Sequence, residues 1–142
     1  MTRYEKLHDY VRECEIHYVP STSNLEPALA VRGKAVYGII FNESFFATTA
    51  ERYVALAHEK AHCETGMLYS INAPRLVKFR CEAQAWRQTI YDIVPLAELK
   101  AVLPYCTYDG NIDMCELAER FEVTPEFMWR ALEHYNDLGK LC

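Results

Sequence analysis

A chain of 142 residues, 51% apolar and 13% aromatic, can bury one real core and leaves little room for two independent ones. The formal charge of -5, from 20 acidic against 15 basic residues, argues against a nucleic-acid surface, and no run of about 18 apolar residues is present to span a membrane. The six cysteines, at positions 14, 63, 81, 106, 115 and 142, form no CxxC pair, and the start shows no basic segment followed by an apolar run. The expectation is a reduced, cytoplasmic, single-domain protein over 1–142.

Thr2 to His17 reads as a helix, with Tyr4, Leu7, Tyr10 or Val11, and Cys14 at helical spacing. Tyr18-Val19-Pro20 and the polar cluster Ser21 to Asn24 break it. Leu25 to Val31 reads either as a short turn opened by Pro27 or as an extended entry. Val31 to Ala35 and Tyr37 to Phe41 are strand material for a small antiparallel sheet around Gly33-Lys34. Gly38 then marks a bulge or the close approach of another chain, and a strand edge near a metal can pair with a peptide. Asn42-Glu43-Ser44 matches a glycosylation sequon, in this compartment only a match.

The segment Glu51 to Cys63, ERYVALAHEKAHC, carries His58, Glu59 and His62 as H-E-x-x-H on a helix that Thr48 or Thr49 opens and Gly66 ends. At about 100° per residue, His62 stands roughly 40° from His58 and one turn on, so both imidazoles can converge on one metal. Glu59 flanks that point without having to ligate, where a base can take a proton from an activated water. The pattern predicts a zinc hydrolase, most simply a protease, that still needs a third ligand.

An irregular connection from Gly66 to Pro74 leads into a second helix, Arg75 to Val94. Its apolar stripe is Leu76, Phe79, Ala83, Trp86, Ile90 and Ile93, and Glu82 sits on its edge. A carboxylate there is expensive if buried unpaired, and metal ligation explains it. The alternatives are a surface glutamate paired with Arg75, Lys78 or Arg87, or a third ligand from Glu64 or Asp92. Pro95 to Leu103 forms a short helix, and Asp109-Gly110 tips a turn. A helical pair over 112–138 packs on the domain, its second helix capped by Thr124 with Pro125 next. This pair looks like a helix-turn-helix, but Glu126 and Glu133 against Arg130 disfavour DNA.

The blocks LAHEKAHCETG, FRCEAQAW, IVPLAEL and ELAERFEVTPEFMWRAL, in this order, resemble the ImmA/IrrE family of metallopeptidases, in particular short forms from phages and integrative elements. The likeness runs from about Tyr37 almost to the end of the chain. Lys60 and Ala61 replace the family's usual Leu-Gly, and Trp86 stands where an asparagine is usual. The resemblance implies an α+β, zincin-like domain, mostly helical, with the small sheet beside the H-E-x-x-H helix. It implies His58, His62 and Glu82 as ligands of Zn2+ and Glu59 as the base or acid. It also implies a protein substrate, a helix-turn-helix repressor of a mobile element. Tyr37 and Tyr69 are candidate oxyanion donors from their predicted connectivity. The alternatives are a catalytically silent, metal-containing protein that sequesters such a repressor, and a hydrolase of non-peptide amides.

Overall fold

Thr2 opens the first helix, α1 (Arg3–Glu13), with a reciprocal cap in which its hydroxyl accepts from the Glu5 amide and the Glu5 carboxylate accepts from its own. The computed structural model describes residues 1–14 and 16–141. The helix stops at Glu13 rather than His17, because Cys14 is already extended and a strand, β1 (His17–Pro20), begins where a break was expected. Strands β2 (Ala28–Arg32) and β3 (Tyr37–Phe41) complete a sheet of order β1-β3-β2.

This sheet is mixed, which corrects the antiparallel expectation: β1 runs parallel to β3, and β2 antiparallel to it. Pro20 is tolerated because β1 is an edge strand, where a missing N–H breaks no ladder. Strand β2 starts at Ala28 rather than Val31, since the hairpin turn takes up Gly33 to Val36, with the Gly33 amide donating to the Val36 carbonyl at 2.7 Å. Pairing runs unbroken through Gly38, so there is no bulge; a Cβ there would stand 3.3 Å from both the His17 carbonyl and a Val31 methyl. The Asn42 side chain is buried and donates to the Ser23 carbonyl at 2.9 Å, which leaves the sequon's amide committed.

Helix α2 (Thr49–Thr65) carries the H-E-x-x-H residues and contacts α1, β2, β3 and α3 (Arg75–Ile93). Thr48 and Glu51 form its N-terminal capping box, and Gly66 closes it at φ +69°. On α3 the expected stripe is buried only in its C-terminal half, at Ile90 and Ile93, with Trp86 packed against the core. Leu76 and Phe79 are exposed, whereas the small residues Cys81, Ala85 and Thr89 are buried with Ile90 and Ile93. Small buried residues on both helices, Ala57 and Ala61 on α2 among them, let the two axes approach closely.

Helix α4 (Leu96–Val102) follows, and then a hairpin of β4 (Thr107–Tyr108) and β5 (Asn111–Ile112) with Asp109 and Gly110 both at positive φ. Helices α5 (Met114–Phe121) and α6 (Pro125–Asp137) close the chain. One apolar cluster runs from Tyr4 to Tyr135, and the Tyr135 hydroxyl donates to the Val94 carbonyl at 2.8 Å, tying α6 to the end of α3. Cys14, Cys63, Cys81, Cys106 and Cys115 are free, and Cys142 lies outside the described residues. Among the described residues no helix is long and apolar enough to cross a membrane.

Gly66 is left-handed at the helix end nearest the histidines, and a Cβ there would meet only the Tyr37 hydroxyl at 3.5 Å, an ordinary contact. Gly66→Ala is therefore expected to cost about 1 kcal/mol through backbone strain alone. Urea denaturation reads this directly, and an unchanged midpoint would show that the turn has no need of glycine.

Candidate metal centre

Three side chains of metal-ligating type converge from two helices. His58 and His62 lie one turn apart on α2, both buried, with rings 4.7 Å apart at 77°. Glu82, on α3, enters between them: its Oε2 is 2.9 Å from His58 Nε2, and its Oε1 is 3.2 Å from His62 Nε2. The ligand atoms all lie within 4.8 Å of one another, so this buried group can hold a metal ion.

Hydrogen bonding gives an independent test of that fit. His62 Nδ1 lies 2.7 Å from the Met67 carbonyl, which can only accept, so Nδ1 carries the proton. In the neutral ring Nε2 is then an acceptor facing a carboxylate oxygen, and two acceptors at 3.2 Å need a cation between them. Either a second proton on His62 or a metal ion meets that need. Burial lowers the His62 pKa, but the Glu82 contact and the Met67 carbonyl outweigh it and leave it raised. For His58 burial prevails and lowers the value against the pull of Glu82. The Glu82 carboxyl is held far below the usual range by His58 first and then His62, with Tyr69 helping.

The connection after Gly66 supplies two of these supports. Met67 gives the carbonyl, and the Tyr69 hydroxyl donates to Glu82 Oε1 at 2.8 Å. Tyr69 thus belongs to the cluster. Tyr37 is placed elsewhere: its hydroxyl lies against Gly66, and its ring carries the Arg32 guanidinium at 5.5 Å. Glu64 and Asp92, the rival ligands, sit around Lys60, at 2.6 and 3.8 Å from its Nζ. None of the expected cationic partners, Arg75, Lys78 or Arg87, pairs with Glu82 among the described residues: Lys78 donates to the Ile71 carbonyl and Arg87 to the neutral Gln84 side chain.

Glu59 follows His58 on α2 and is half-buried. Burial pushes its carboxyl up to about 7, and Glu82 acts in the same sense, while His62 and the backbone amide of Ala30 on β2 pull it down. Two features had no clear signal in the sequence. Met67 acts through its backbone, and Trp86 stacks on His58 with ring centroids 3.8 Å apart at 24°. That stack matters because His58 Nδ1 is buried without a hydrogen-bond partner, so a ring face rather than an acceptor orients this histidine. Comparison with protein-family models, with curated proteins and with solved structures found no match, and the chemistry of the cluster rests on its own geometry.

Trp86→Leu is expected to weaken metal binding by about tenfold, the lower end of what lost outer support costs. Competition of Zn2+ against a chelator measures it, and unchanged affinity would remove the stack from the support of the site. In metal-free protein the raised Glu59 pKa means that ionisation opposes folding, so stability falls as pH rises from the ordinary carboxylate range to about 7. Glu59→Gln lacks that loss, and its advantage should grow across this window and level off above it. Urea denaturation at a series of pH values would expose a flat difference if the carboxyl is not perturbed.

Proposed function

We propose that this protein is a zinc-dependent endopeptidase with His58, His62 and Glu82 as the metal ligands and Glu59 as general base and acid. The observation that carries the reading is the pairing of a His-His-Glu set able to hold a metal with a half-buried carboxyl, Glu59, next to it on the same helix. A site built only for stability is closed by a fourth protein ligand, and among the described residues no further His, Cys, Asp or Glu joins these three. Two histidines and one carboxylate are also a donor set that suits zinc.

Bound zinc supplies Lewis acidity toward a scissile carbonyl and toward water. Glu59, next to His58 on the same helix, would take the proton of the attacking water and hand it to the leaving amine. Tyr69 donates its one hydroxyl proton to Glu82 and so positions that carboxylate, and it could serve an oxyanion only by giving up that bond; Tyr37, turned to Gly66, is set aside for that role. Strand β2 is an edge strand whose Ala30 amide acts on Glu59, so an extended segment added along β2 would run past the catalytic carboxyl. This favours a peptide over a compact amide. The resemblance of the four sequence blocks to the ImmA/IrrE family extends the proposal to a helix-turn-helix repressor of a mobile element as substrate.

Purified protein is expected to carry close to one equivalent of zinc, which Glu82→Ala loses and Glu59→Gln keeps, while Glu59→Gln lowers repressor cleavage by about 10²–10⁴-fold. Zinc retained at full affinity without Glu82 would take it out of the ligand set. Tight binding of the repressor with no product from the unmodified protein would make this a sequestering protein rather than an enzyme.

A further inference from the structure

A groove of about 310 Å³ opens beside Glu82, with Phe79, Ala83, Trp86 and Ile90 as its apolar walls and Arg87 and Arg130 on its border. Neither arginine has a carboxylate within 4.0 Å among the described residues. Arg87 donates only to the neutral Gln84 side chain, at 3.0 Å. Arg130 lays its guanidinium over the Trp86 ring at 4.1 Å. A stacked guanidinium spends its face and keeps its in-plane N–H donors, the geometry that grips a carboxylate by its two oxygens.

The charge around the groove runs against that of the whole chain. Net charge is -5, yet the charged residues lining the groove are Arg87 and Arg130 against Glu82, and Glu126, Glu133 and Asp137 of α6 are not among its lining. Glu82 is itself turned to the histidines. The site is also near the reacting centre, because Trp86 touches both Arg130 and the metal-ligating His58.

We propose that this groove takes an acidic side chain, Asp or Glu, of the bound protein segment, its stem on the apolar wall and its carboxylate between Arg87 and Arg130. The word substrate for that segment rests on the hydrolase reading; the binding does not. In the proposed reaction the acid would stand close to the cleaved bond and select it.

The test uses full-length protein carrying Glu59→Gln, which blocks turnover, and Trp129→Phe, which leaves Trp86 as the sole indole. End-blocked peptides with a central Leu-Glu, Leu-Gln or Leu-Lys are titrated by tryptophan fluorescence. The Leu-Glu peptide should bind about tenfold more tightly than the Leu-Gln peptide, and Leu-Lys more weakly still. Adding Arg87→Gln and Arg130→Gln, both exposed positions, should erase the difference without unfolding the chain. Equal affinities, a preference that survives both arginine substitutions, or no saturable signal with any peptide overturns the proposal. The same peptides incubated with protein retaining Glu59 separate the two readings. Charge preference without cleavage keeps the groove and sinks the hydrolase, whereas cleavage indifferent to charge does the reverse.

Discussion

The contact on which the rest of this structure depends is the insertion of Glu82 between His58 and His62. One carboxylate receives three partners, the two Nε2 atoms and the Tyr69 hydroxyl, at 2.9, 3.2 and 2.8 Å. Each charge-assisted contact at so open a carboxylate contributes on the order of 1 kcal/mol after screening by water. Their geometric consequence is larger. Both oxygens are committed, so α3 cannot slide or roll against α2 without breaking a contact, and the connection between the helices is drawn in through Met67 and Tyr69. The site and the helix pairing are therefore one arrangement.

Helix packing prepares that arrangement before any side chain reaches across. Two ligand-bearing helices can meet at a shared metal only when the residues between them are small, and Ala57, Ala61, Cys81 and Ala85 are all buried. A second polar cluster, distinct in its members, links the same helices: Lys60 with Glu64 on α2 and Asp92 on α3, beneath the Tyr10 ring of α1 at 5.4 Å. The two clusters divide the carboxylates. Glu64 and Asp92 neutralise a lysine, which leaves Glu82 to the histidines.

What could be read from the sequence follows from how local each signal is. The H-E-x-x-H helix, its Thr48 cap and its Gly66 stop were legible because spacing, capping and left-handed glycine are all written within a turn or two. Glu82 was legible as a carboxylate out of place beside apolar residues, although the reason differed: Phe79 and Leu76 border an open face rather than the core, and the buried face of α3 is made of small residues that carry little periodic signal. Strand β1 was missed because parallel pairing with β3 is non-local and Pro20 reads as a breaker unless the strand is known to be an edge. Met67 left no trace because a backbone carbonyl has no residue type. In the sequence Trp86 reads as one member of an apolar stripe and Arg130 as a lone base among the acids of its helix, since only the docking of α6 on α3 brings them together.

The two histidines are restrained in different ways, and the difference connects the candidate metal site to the groove. His62 is fixed by a directional bond from Nδ1 to the Met67 carbonyl, which sets both its tautomer and its rotation. His58 has no such bond, and the indole face of Trp86 resists tilting of its ring while leaving the tautomer to whatever occupies Nε2. Trp86 is in turn covered by Arg130 and packed on Phe127, both on α6. The ring position of His58 on α2 thus rests, through one indole, on a helix some 70 residues further along the chain. Under the groove proposal, a segment engaging Arg130 would touch the same stack that packs on His58, and that stack is the physical contact between the groove and the candidate site.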